Sequence, residues 1–160
     1  MTALDHPDVL RMNAASVHFL SPLTPEQLES FVAMATFAPV VELDGRVVAF
    51  AIAHGPGVDY DSRYYRWWAA RRDDFLYLDR IVVDESARGR RIGSMIYEAL
   101  DIEATTHGRV LAEVNTIPLN EPSLAFHDRQ GFVRHDVVGD DDHQVVMVEK
   151  VLGSGAHERR

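Results

Sequence analysis

The stretch that most constrains this chain is Ala87-Arg88-Gly89-Arg90-Arg91-Ile92-Gly93-Ser94. Before it, Leu76 to Val83 reads as a β-strand. After it, Ile92 to Thr106 carries Ile92, Met95, Ile96, Ala99, Leu100 and Ile102 as the apolar positions of a helix. A strand therefore enters a helix through a glycine-punctuated basic turn. The first N–H groups of a helix lack internal partners and lie at the positive end of its dipole, so such a turn suits an anion, phosphate above all. Gly89 and Gly93 omit side chains where backbone must approach a ligand. Arg88, Arg90 and Arg91 concentrate positive charge in a 160-residue chain whose net charge is -9. A merely solvated surface turn is the alternative reading. The segment has neither the Gly-Lys-Ser/Thr ending of a P-loop nor a G-x-G-x-x-G fingerprint.

The remaining sequence predicts one mixed α/β domain over residues 1–152, followed by a polar, mobile tail at 153–160. Val9 to Met12 reads as a short first strand. Thr24 caps a helix, with Pro25 in its first turn, Gln27 at the capping-box position, and Leu28, Phe31, Val32 and Ala35 on one face. Phe37 to Glu42 and Arg46 to Ala53 flank Asp44-Gly45, a strong hairpin signal. Gly55 to Trp68 begins as a loop and becomes aromatic; there Tyr64 and Trp67 are candidates for substrate contact or for covering the sheet. Arg71-Arg72-Asp73-Asp74 reads as a solvated turn. Arg109 to Val114 is a strand, so strand, helix, strand predicts a crossover with parallel pairing. Asn120 and Pro122 open a short helix that Gly131 stops, and Val133 to Val138 with Gln144 to Leu152 form a last hairpin. The order predicts a mixed, mostly antiparallel twisted sheet of about six or seven strands with helices on both faces. Ile81, Val83, Val110, Leu111 and Val146 are its expected core residues.

Composition excludes several classes. With 46% hydrophobic and 26% charged residues the chain is globular rather than disordered. No run of about 18 apolar residues suggests a membrane span, and the N-terminus does not resemble a secretory signal, so the cytoplasm is the expected compartment. Absence of cysteine removes disulfides, thiolate metal sites and a cysteine nucleophile. The acidic balance argues against a nucleic-acid surface. His135 and His143 flank the last turn without metal-ligand spacing, and no metal is expected.

Tyr77 to Ser94 resembles the acetyl-CoA-binding motif of the GNAT superfamily of N-acetyltransferases, Arg/Gln-x-x-Gly-x-Gly/Ala, with Arg88 and Gly93 matching its ends. Arg91 stands where the inner glycine is usual, so the backbone must adopt the loop without glycine's freedom there. Asn120 to Phe132, an Asn followed by a short helix and Gly-Phe, resembles the second signature of the family. The resemblance covers Phe37 to Leu152 and implies a GNAT-like acyl-CoA N-acyltransferase fold with acetyl-CoA as co-substrate. It implies pyrophosphate on the main chain from Gly89 through Arg90, Arg91, Ile92 and Gly93 to Ser94, and pantetheine along Ile81, Val82 and Val83 where two strands splay. Asn120 and Phe126 belong to the same cofactor site by this resemblance. His127 takes the place where the family commonly has a tyrosine, and an acid role toward the departing thiol follows. Glu113 lies on the strand after the phosphate-binding helix, where some members carry a base; Asp79 is the second carboxylate candidate. An amine acceptor of unknown identity then attacks the thioester directly. A catalytically silent acyl-CoA-sensing domain is the rival reading, and a homodimer is left open.

Overall fold

The computed structural model describes residues 1–153; most of the tail expected at 153–160 lies outside the described residues. Six strands form one open sheet in the order β1-β2-β3-β4-β6-β5. Strands β1 (Val40–Leu43), β2 (Arg46–His54) and β3 (Leu76–Val83) make an antiparallel meander. Strands β4 (Arg109–Ile117), β6 (Gln144–Val151) and β5 (Val133–Gly139) make a second antiparallel unit. The Asp44-Gly45 turn takes positive φ at both residues, 52° and 74°, as a tight hairpin with right-handed strand twist requires. Parallel pairing of β3 with β4 joins the units.

Helices cover both faces, so the central strands are apolar on both sides rather than alternating. On β2, Phe50 and Ile52 pack with Val9, Met12 and Leu28 from α1 (His6–Ala15) and α2 (Pro25–Met34). Ala49, Ala51 and Ala53 face the opposite layer, where α4 (Ile92–Glu103) and α5 (Glu121–Arg129) bring Ile96, Tyr97, Leu100 and Leu124. The capping box of α2 forms as read: Gln27 N donates to Thr24 Oγ1 at 3.2 Å and Thr24 N to Gln27 Oε1 at 2.9 Å.

Three expectations are corrected. Val9 to Met12 is not a strand but part of α1, which leaves six strands. Four apolar residues cannot report their period, whereas Pro7 in the first turn and burial of Val9, Met12 and Asn13 at helical spacing are helix signals. The aromatic stretch is helical in α3 (Arg63–Ala69), capped by Ser62, and buries Trp68 with its Nε1–H donating to Ala112 O at 3.1 Å. Arg71 to Asp74 is not simply solvated: the Arg72 guanidinium is bidentate to Glu149 at 2.8 and 2.7 Å. Of the expected core, Val110, Leu111 and Val146 are buried, while Ile81 and Val83 are half-buried because they face a cleft.

Arg109 at 2.5 Å and His135 at 2.9 Å complete the shell around Glu149, whose side chain is 6% exposed. The arginines, Arg72 first, hold its carboxyl down at about 2, against an ordinary 4.5. A depressed carboxylate stabilises the fold above its unfolded pKa and loses that effect as pH falls through the folded one. Relative to Glu149→Gln, the wild type should therefore lose stability as pH falls from 4.5 through about 2, read from urea unfolding at stepped pH.

Candidate active site

Hydrogen-bonded pairing between β3 and β4 comprises Leu76 with Val110 and Tyr77 with Leu111, and then stops. Beyond that point the strands diverge, leaving a cleft of about 1190 Å³ between them. At the apex β3 carries a bulge: Ile52 opposes Arg80 and Ala53 opposes Leu78, so Asp79 is the extra residue. A bulge bends its strand and re-aims the neighbouring side chains. Ile81, Val82 and Val83 continue along one wall, paired to β2 on one edge with their other edge open to the cleft.

One end of the cleft is the loop into α4. Arg91 occupies the left-handed region, φ 59° and ψ 19°, so the bend usually given to glycine is made here by an arginine. The first helical bond is Met95 N to Arg91 O at 3.0 Å, and the N–H groups of Ile92, Gly93 and Ser94 precede the ladder. A Cβ on Gly93 would meet only the Phe126 ring, at 3.7 Å, and one on Gly89 would meet nothing within 4 Å. Open donors, a helix N-terminus, Arg88 and Arg91 at the wall and a free strand edge fit a pyrophosphate carrying an extended arm. Arg90 is placed elsewhere, in a shallow recess with Asp44, Arg46 and Ser86. Asn120 lines the cleft while its Oδ1 caps α5 by accepting from Ser123 N at 3.3 Å.

The floor is polar and buried. Both Glu113 oxygens accept from the Tyr77 hydroxyl, at 2.9 and 2.8 Å. Burial, and then the charge of Asp79, push the Glu113 carboxyl up to about 8. Asp79 accepts from the Tyr60 hydroxyl and, at 2.7 Å, from Arg80 Nε. Arg80 also reaches Asn13 Oδ1 at 2.8 Å and Ser21 Oγ at 3.2 Å, fastening the α1–α2 loop to β3. Asn115 Nδ2 donates to Phe19 O at 3.0 Å and ties the same loop to β4. Opposite, the Tyr64 hydroxyl lies 3.0 Å from His143 Nδ1, linking α3 to the β5–β6 turn.

Residues 9–132 match the model of the acetyltransferase (GNAT) family. The chain belongs to that family. Among solved structures, Ard1 from Thermoplasma volcanium superposes with a TM-score of 0.75 at 18% identity, over 95% of this chain and 94% of that one. A ribosomal-protein-alanine N-acetyltransferase from Brucella melitensis gives 0.66 at 24%, over 95% and 97%. Naa20 from Chaetomium thermophilum, solved with a bisubstrate analogue, gives 0.71 at 17%, over 96% and 87%. No curated protein sequence matches the chain significantly.

Within this GNAT domain two further expected roles change. Trp67 is not at the cleft; it lies under the Arg71 guanidinium, 3.8 Å from ring centre to Cζ, and against Trp68. His127 lines the cleft, yet both ring nitrogens are engaged: Nδ1 with Ser123 O at 2.8 Å and Nε2 with the Tyr97 hydroxyl at 2.6 Å. A backbone carbonyl accepts only, so Nδ1 carries the proton and Nε2 accepts from Tyr97. His127 therefore has no free proton to give, and its place is to hold the Tyr97 hydroxyl. Tyr60, Tyr77, Arg80, Tyr97 and Asn115 were absent from the sequence reading of the site. The one signal for them was a charged pair, Asp79-Arg80, in mid-strand. Among the described residues no cluster of His, Asp or Glu is gathered for a metal.

Burial holds His127 below its ordinary 6.5. A depressed histidine is protonated first in the unfolded chain, so stability falls as pH drops below 6.5. We expect its ring nitrogens, followed by ¹⁵N NMR, to show the neutral Nδ1–H form at pH 7 and a titration midpoint below 6.5.

Proposed function

We propose that the protein is an acetyl-CoA-dependent N-acetyltransferase whose acceptor is a primary amine, with Glu113 as the base. The observation that carries this reading is the Glu113 carboxyl at the apex of the splay, pushed up to about 8 in a cleft whose other end is a phosphate loop. Acetyl-CoA when bound supplies an acyl group on a thioester. The chain's residues do the rest by binding and by handling protons.

Main-chain N–H groups from Ile92 to Ser94, with Arg88 and Arg91, hold the pyrophosphate, and the free edge of Ile81 to Val83 aligns the pantetheine arm. Ionised Glu113 takes a proton from the acceptor's ammonium and leaves a free amine lone pair. A carboxyl that titrates near 8 is far better matched to an ammonium than one at 4.5, because general bases act best when their pKa lies near the working pH. The Tyr77 hydroxyl keeps both carboxylate oxygens in place. Tyr64 and His143 stand at the acceptor mouth, as do His18 and Phe19. The Brucella neighbour is named for ribosomal-protein alanine, so peptide N-termini are the first acceptor class to screen, ahead of small amines.

Acetyl transfer to a panel of peptides and amines tests the reading, and binding of CoA without turnover of any of them would favour a silent sensing domain. With a turned-over acceptor, kcat/KM should rise as pH rises through about 8, and Glu113→Gln should lower kcat about 10²–10⁴-fold.

Gly93→Val gives a separate check on the phosphate loop. The position is helical with negative φ and a Cβ there meets the Phe126 ring only at ordinary contact distance, so the backbone accepts a side chain, which then obstructs the approach of phosphate to the main chain; retention of the far-UV spectrum checks that the variant is folded. Calorimetry should show CoA affinity reduced at least about tenfold, equivalent to about 1.4 kcal/mol.

A further inference from the structure

We infer that Arg129 on α5, laid across the Phe126 ring at the rim of the cleft, is the contact for the 3′-phosphate of CoA and lets the protein tell CoA from its dephospho form. The inference rests on the reading of the co-substrate as acetyl-CoA. Besides its pyrophosphate, CoA carries a phosphate monoester on the ribose, with about two negative charges at neutral pH. The N–H groups of Ile92 to Ser94, with Arg88 and Arg91, are assigned to the pyrophosphate. The monoester therefore needs a cation of its own, in a chain whose net charge is -9.

Arg129 is placed to be that cation. Its side chain lines the cleft, and its Cζ sits over the Phe126 ring, 5.8 Å from the centroid. The same ring lies 3.7 Å from where a Cβ on Gly93 would stand, so a single aromatic ring separates the guanidinium from the N-terminus of α4. Phe126 and Arg129 stand three residues apart on α5 and share one face of that helix. A nucleotide entering between α4 and α5 has the pyrophosphate donors on one wall and this cation on the other. Elsewhere Arg11, Arg72, Arg80, Arg109 and Arg134 each pair with a carboxylate. Among the described residues Arg129 pairs with none, although Asp128 is adjacent in sequence, because Asp128 faces Arg134 at 2.6 Å. Arg90 opens into the separate recess beside Asp44 and does not compete for the role. A cation in the last turn also suits the helix dipole. The dipole accounts for positive charge at this end of α5, but not for a guanidinium held on an aromatic ring beside the phosphate loop. Its planar fork can grip a phosphate through two parallel N–H bonds.

The test is calorimetric titration of the protein with CoA and with 3′-dephospho-CoA. The wild type should bind CoA about tenfold more tightly, the scale of one charge-assisted hydrogen bond. Arg129→Gln should lose that preference and bind dephospho-CoA as the wild type does, which also shows that the variant is folded. Arg129→Lys should keep part of the preference, and high salt should shrink it in the wild type. Equal wild-type affinity for the two ligands overturns the inference and leaves the phosphate loop and the proposed co-substrate standing. An equal loss for both ligands in Arg129→Gln also overturns it, because Arg129 would then serve the pyrophosphate or the adenine. Failure of the wild type to bind either ligand removes the proposed co-substrate, and the inference with it.

Discussion

Leu76 with Val110 and Tyr77 with Leu111 make the whole hydrogen-bonded join between the two halves of the sheet. Everything functional follows from its shortness. A longer join would close the cleft, pair the outer edge of Ile81 to Val83 and bring the floor side chains into a packed core. A shorter one would leave the two antiparallel units without a common sheet. The halves are held together instead by side chains and helices that do not need the ladder: Trp68 bonded to the main chain of β4, and α4 and α5 packed across both units.

The splay also decides the electrostatics. At its apex side chains are out of water but not in a packed hydrocarbon core, the condition under which a carboxyl changes its proton affinity without being neutralised outright. The cleft gathers three tyrosines, Tyr77 on Glu113, Tyr60 on Asp79 and Tyr64 on His143, each with its hydroxyl pKa raised, first by burial and further by nearby carboxylates. Neutral phenols donate hydrogen bonds and add no charge, so Tyr77 orients Glu113 and Tyr60 orients Asp79 without bringing a compensating charge. The contrast with Glu149 is instructive. There arginines surround a carboxylate that is itself buried and drive its proton affinity the other way.

Much of this was legible in the chain. Caps and turns announced themselves locally, as at Thr24 to Gln27, Asp44-Gly45 and Asn120 to Pro122, because each depends on residues within one turn of itself. The α4 loop was legible for the same reason. What escaped is what depends on register between distant segments. Tyr97 falls among the apolar positions of α4 and acquires a partner only when His127 is brought beside it from α5. Asp79 reads as a candidate carboxylate, but its burial with Arg80 follows only from a bulge in β3 and from Ser21 of the α1–α2 loop, which no local pattern announces. Residues of α4 show the converse: Met95 and Ile102 fit the helical stripe yet are exposed, since only the arc through Ile92, Ile96 and Leu100 meets the sheet.

The α1–α2 loop forms one wall of the cleft and is fastened at several points, through Phe19 to Asn115 and through Ser21 to both Arg80 and Asn13. A recognition surface held in this way is preorganised. Its order is established during folding, so an arriving acceptor does not bear the conformational entropy of arranging it, about 0.5–1.5 kcal/mol for each long side chain that binding would otherwise immobilise. The same stiffness narrows what can enter, because a wall that cannot yield rejects shapes that a mobile loop would accommodate. Under the proposed function, acceptor choice would be written in the side chains that the wall carries, His18 and Phe19 among them, and not in movement of the loop.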